Sequence, residues 1–187
     1  MASTADFRNG FTFIENGDLF TIIEFQHVKP GKGGAFIRTK LRNIKTKTVF
    51  ERTYRSGERF DEVKLERRPY EFLYHDGDSF VFMDTETYDQ INVDQNLLGD
   101  SKGFLAENMI CNILFHGETA IEVELPTFVE LGIIQTEPGF KGNTAQNVTK
   151  PSIVSTGAEV YVPPFIEIGD IIKIDTRTGA YIERVKK

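Results

Sequence analysis

Residues 17–44 read GDLFTIIEFQHVKPGKGGAFIRTKLRNI, and the way this stretch is read decides the fold. Two β-rich runs flank the connection KPGKGG, in which Pro30 fixes φ and three glycines surround Lys32. A phosphate-binding P-loop is excluded. Gly33 stands where that motif needs Ser or Thr, and strands rather than a helix surround it. The local reading is a hairpin tip whose glycines take left-handed conformations and whose lysine keeps the tip soluble. In AFIRTKLRNI, period-two alternation puts Arg38, Lys40 and Arg42 on one face and Ile37, Thr39 and Leu41 on the other. Three cations in a row below a lysine tip form a stripe able to lie along a phosphate backbone, and Lys45, Lys47, Arg52 and Arg55 extend its sign.

The same grammar recurs along the chain. KTVFERTYR, PYEFLYHDGDSFVFMD, ICNILFHGETAIEVEL, FVELGIIQTEP, AEVYVPP, IIKIDTR and AYIERVKK are strand-like runs separated by turn residues. Helical character is confined to 100–109 (DSKGFLAENM) and VDQNLLGD. No βαβ alternation appears, so the class is all-β, built from small barrels or sandwiches. Phe72, Tyr74, Phe80 and Phe82 are expected in a barrel core.

Net charge is −6, yet it is unevenly spread. Residues 1–64 hold 12 Lys/Arg against 8 Asp/Glu, residues 65–126 hold 3 against 13, and residues 127–187 hold 7 against 7. These steps predict three modules, 1–64, 65–126 and 127–187. Residues 28–55 carry nine basic residues and one acid, Glu51, and this local patch rather than the overall charge governs attraction to phosphate. The acidic stretches YHDGD and MDTETYDQ read as solvated turns.

The lone cysteine, Cys111, permits no internal disulfide, fits a reducing compartment and reads as a buried small hydrophobe. His27, His75 and His116 are far apart, so no metal site is expected, and no constellation supports catalysis or a cofactor. The first residues lack the basic start and apolar core of a signal peptide, and no apolar run approaches a membrane span.

KPGKGGAFIRTKLRN (29–43) followed by KPSIVSTGAEVYVPPFIEIGDIIKIDTRTGAYIERVKK (150–187) resembles the bacterial elongation factor P family, a likeness that runs from DFRNG through FVELGIIQTEPG to YIERVK. The resemblance implies an SH3-like (KOW-like) barrel followed by two OB-fold barrels. It implies a cytoplasmic, monomeric, non-enzymatic factor that binds the 70S ribosome between the peptidyl and exit sites, beside peptidyl-tRNA, when synthesis stalls at consecutive prolines. Lys32 falls on the family's modified lysine, which a post-translational modification generally lengthens, implying a Lys32-modifying enzyme as a partner, and which reaches toward the CCA end. Lys29, Pro30, Gly31, Gly33, Gly34, Arg38, Lys40 and Arg42 then belong to the RNA-facing hairpin. Tyr181 and Arg184 match positions near the anticodon stem-loop, and Gly142, Asn143 and Thr144 match a loop facing the small subunit. Asn143 stands where many members have Asp, and Gly34 where many have Gln. The alternative is a generic OB-type RNA-binding adaptor with no role in peptidyl transfer.

Overall fold

Short alternating runs cut by turn residues cannot close a helix, and each must bury one face against a neighbouring strand. A computed structural model of the chain describes residues 2–31, 33–138 and 149–185, and these form sixteen strands. They are β1 (Ala2–Ser3), β2 (Thr12–Glu15), β3 (Asp18–Val28), β4 (Phe36–Asn43), β5 (Val49–Arg55), β6 (Arg59–Glu62), β7 (Glu66–Asp76) and β8 (Ser79–Asp84). Then follow β9 (Gln90–Asp94), β10 (Ile110–His116), β11 (Thr119–Glu124), β12 (Phe128–Thr136), β13 (Lys150–Val154), β14 (Glu159–Val162), β15 (Ile171–Asp175) and β16 (Ala180–Arg184). The sheets are ordered β1-β6-β2-β3-β4-β5, β11-β10-β7-β8-β9 and β14-β13-β12-β15-β16. In the third sheet the edge strands β14 and β16 approach each other, curling it into a half-barrel. The fold is all-β, as the alternation requires. Among the described residues no helix is long and apolar enough to cross a membrane.

The chain parts into two compact units, Met1–Arg67 with Leu114–Glu122, and Arg68–Ile113 with Val123–Lys187. The core of the first unit is aromatic. Phe13 is fully buried, with Phe60 and Tyr54 edge-on to it at centroid distances of 5.0 and 6.1 Å. Edge-to-face rings pack densely and gain quadrupole attraction beyond their buried area. In the second unit the third sheet closes over Val129, Leu131, Ile133, Ile172 and Ile174 together with Phe104.

Phe104 explains a difference from the sequence reading. The sequence predicts helix over 100–109, but the chain forms a 3-10 helix over Gly99–Phe104 and turns extended at Leu105 (φ −77°, ψ 115°). Glycines at 99 and 103 weaken an α-helix, and the backbone must press against its neighbour. A Cβ on Gly103 would lie 3.3 Å from that of Ala158, and the Gly103 carbonyl accepts a 2.6 Å hydrogen bond from the Thr156 hydroxyl. A second 3-10 turn, Gln95–Leu97, is all that VDQNLLGD contributes before it.

Tyr74 also departs from expectation. Phe72 and Phe82 are buried, Phe80 is half-buried, and Tyr74 is exposed. A bulge between Phe72 and Tyr74 adds a residue to β7, so the alternation changes phase and the phenol turns out. The acidic turns lie in solvent as expected, and the Asp84 carboxyl is held below its usual range by the backbone N–H groups of Thr87 and Glu86.

Phe104→Ala removes the ring that plugs the third sheet and is expected to cost about 3 kcal/mol in denaturant unfolding; a loss below about 1 kcal/mol would show the site collapses around the gap. Cys111 is buried, and burial pushes its thiol up to about 12. Its folded value is raised, so the stability it contributes is complete below the unfolded thiol's value, 9.0, and is lost as pH rises toward the folded one. Unfolding measured from about pH 8 to about pH 11 should therefore show an alkaline decline that Cys111→Ala reduces. An identical decline in the variant would assign it to other groups.

Candidate functional site

A hairpin displays a functional face only if its register is fixed, and here the first unit's core fixes it. β3 and β4 pair antiparallel from Phe20↔Asn43 out to Val28↔Phe36, leaving 29–35 as the connection. β4 has no bulge: Ile37, Thr39, Leu41 and Asn43 are buried, while Arg38 is exposed and Lys40 and Arg42 are half-buried, all three on the outer face. Thr39 suits an inward position because its hydroxyl donates to the Arg52 carbonyl at 2.9 Å. β3 carries a bulge between Ile22 and Glu24. Ile22 opposes Leu41 before it, while Phe25 opposes Thr39 and His27 opposes Ile37 after it. The extra residue keeps the outer neighbours of β4 polar.

Those neighbours modify the stripe. Arg38 sits between Gln26 and Thr53, and Arg42 between Thr21 and Val49, but Lys40 sits between Glu24 and Glu51. The centre of the stripe is thus flanked by acids in register, a pattern invisible in linear sequence, and Arg38 and Arg42 dominate the field. Arg38 and Arg42 have no ion pair or side-chain hydrogen bond among the described residues. Two further cations leave the stripe altogether. Arg52 opposes buried Thr39 on the other face, where it pairs with Glu15 and lies 5.9 Å from the Tyr54 ring. Burial pushes that phenol up to about 12. Lys47, at φ 61°, pairs with Glu122 of the same unit. Lys45 and Arg55 remain exposed.

In the connection, Lys29, Pro30, Gly31, Gly33 and Gly34 are exposed, and Lys32 lies outside the described residues. Only Gly33 has the left-handed backbone expected of all three glycines, at φ +114°. A Cβ at Gly31 or Gly34 would meet nothing within 4 Å, and neither has a left-handed φ. Among the described residues nothing crowds a side chain at either position, so backbone geometry asks for glycine only at 33.

Tyr181 and Arg184 stand on β16 of the second unit. Three residues apart, they would face opposite sides of a regular strand. A bulge brings Tyr181 opposite Ile174 and Arg184 opposite Ile172, so both face the same side. Tyr181 packs on the core, while Arg184 reaches the Asp170 carboxylate at 3.6 Å and the Phe165 ring at 5.8 Å. Phe165 escaped the sequence reading; its only linear signal is an aromatic after two prolines. Gly142, Asn143 and Thr144 lie outside the described residues. Among the described residues no three His, Cys, Asp or Glu side chains cluster to hold a metal.

The sequence matches three family models: Elongation factor P KOW-like domain over 3–60, Elongation factor P OB domain over 65–123, and Elongation factor P, C-terminal, over 129–184. Curated relatives called Elongation factor P include that of Natranaerobius thermophilus, 52% identical over 100% of this chain and 99% of its own, and that of Acetivibrio thermocellus, 51% identical over 99% and 100%. Among solved structures, a translation initiation factor eif-5a family protein from Naegleria fowleri superposes with a TM-score of 0.53 at 14% identity, covering 66% of this chain and 96% of that one, a likeness of fold.

Gly31→Ala and Gly34→Ala should leave unfolding stability within about 0.5 kcal/mol of the parent. Gly33→Ala should lose about 1 kcal/mol because it forces a Cβ into the left-handed region. Equal losses at all three positions would mean that the whole connection is shaped by the fold.

Proposed function

Because this chain belongs to the elongation factor P family of translation factors, we propose that it binds the ribosome beside peptidyl-tRNA, between the peptidyl and exit sites, and speeds peptide-bond formation where consecutive prolines stall it. The observation that carries this reading is the pair of glycines at 31 and 34, which the hairpin does not need. Side chains absent without an internal reason imply clearance against something external, and a narrow RNA-lined site supplies that reason. Lys32 between them enters the site, and Lys29, Pro30 and Gly33 shape its approach. Arg38 and Arg42 rest on phosphates, each contact releasing counterions, and Lys40 between them, flanked by Glu24 and Glu51, adds less.

The ribosome carries out the chemistry. Proline is a slow partner because its ring and secondary amine restrict approach. The factor's contribution is positional: held by the loop, the CCA end keeps ester and nucleophile in a reactive geometry, which avoids the entropy of finding it. A lysine side chain spans about 6 Å from Cα, so an enzyme that lengthens Lys32 adds reach as well as donors. Tyr181 and Arg184 contact the anticodon stem-loop, and the loop of Gly142, Asn143 and Thr144 faces the small subunit. The factor works as a cytoplasmic monomer, and its functional modules are 1–64, 65–126 and 127–187. Lys32→Ala should fold normally by circular dichroism yet abolish relief of stalling in a translation assay on a consecutive-proline message. Undiminished relief by that variant would overturn the proposal and leave the RNA-binding adaptor in its place.

A further inference from the structure

Below the basic stripe, the first unit has an open groove of about 430 Å³. A cross-strand row builds its floor. Thr12 on β2 opposes Thr21 on β3, and Thr21 opposes Arg42 on β4, so two hydroxyls and a guanidinium stand side by side. The chain leaving β6 supplies the wall: the Val63 N–H bonds the Thr12 carbonyl at 2.8 Å, which brings Lys64 to the rim.

Charges in the groove are not equivalent. Arg8 donates to Glu62 at 2.8 Å and lies 5.2 Å from the Phe11 ring, so that pair is internally matched. Glu66 and Arg67 add one charge of each sign. Arg42 and Lys64 remain, with no ion pair or side-chain hydrogen bond among the described residues. The Thr12 and Thr21 hydroxyl oxygens are 2.9 Å apart, and the Gly10 carbonyl accepts from Thr12 at 3.3 Å. With Thr12 as donor to the Thr21 oxygen, the shorter of its two contacts, the Thr21 proton is left to turn outward. Two unmatched cations and a hydroxyl converging on a concave site suit a tetrahedral oxyanion.

We propose that this groove seats a backbone phosphate of bound RNA between Arg42 and Lys64, with Thr21 as a further donor. The inference rests on the RNA-binding reading and deepens it. From Phe36 to Arg42 the strand runs about 20 Å, so a strand of RNA whose 3′ end reaches the loop passes Arg38 and arrives at the groove. The centre of the stripe, where acids flank Lys40, then contributes little, and the phosphate backbone is held at two points.

The test uses the full-length protein, a short RNA duplex with a single-stranded CCA end, and inorganic phosphate as the free-anion control. RNA should shift the amide resonances of Gly10, Thr12, Thr21 and Ile44, which lie in the groove. Lys64→Gln should weaken RNA binding about tenfold and lower the salt slope by about one, with thermal unfolding unchanged because Lys64 is exposed. Arg38→Gln, outside the groove, serves as the comparison. Weaker binding by Arg38→Gln with none by Lys64→Gln would overturn the groove seat and leave the RNA-binding reading standing. No effect from either would overturn both. Groove shifts with phosphate but not with RNA would show a free-anion site and overturn the proposal.

Discussion

Everything functional on the hairpin depends on the register of β4 against the aromatic core. A slip of one residue would bury Arg38, Lys40 and Arg42 and expose Ile37, Thr39 and Leu41. Burying Ile37 and Leu41 contributes about 2 kcal/mol each, and desolvating an unpaired guanidinium costs more. The alternative register is therefore closed by both terms together. The bulge in β3 completes the arrangement, because it lets a strand that begins with Phe20 and Ile22 inward finish with Phe25 and His27 opposite the inner face of β4.

Much of this was legible in linear sequence, and the reason is local. β4 runs unbulged, so strict alternation from Ile37 to Arg42 gave both faces correctly. What alternation misplaces is whatever follows a bulge. Tyr74 turns outward because β7 gains a residue before it, and Tyr181 and Arg184 come to one side because of the irregularity between β15 and β16. Neither bulge leaves a glycine or any other mark in its run. Cross-strand neighbours are equally hidden: Glu24 and Glu51 lie 16 and 11 positions from Lys40 in the chain yet flank it in the sheet. Arg52 and Lys47 join the basic run in linear sequence because their signs agree, whereas their acid partners, Glu15 and Glu122, are remote in sequence.

The connection at 29–35 shows why the three glycines are not equivalent. Gly33 is explained by backbone geometry, as a turn requires. Gly31 and Gly34 are not, and in the proposed function they serve as clearance against the RNA-lined site. This clearance and the cationic outer face of β4 are separate grounds for the proposed RNA contact.

In the proposed function, position 32 meets the reacting end of peptidyl-tRNA. A photo-crosslinking residue placed at 32, in complexes stalled at consecutive prolines, tests it most directly. The expected result is a crosslink to the 3′-terminal CCA of the tRNA, suppressed by excess unlabelled factor. Crosslinks confined to other RNA or protein, with the CCA end unlabelled, would contradict it.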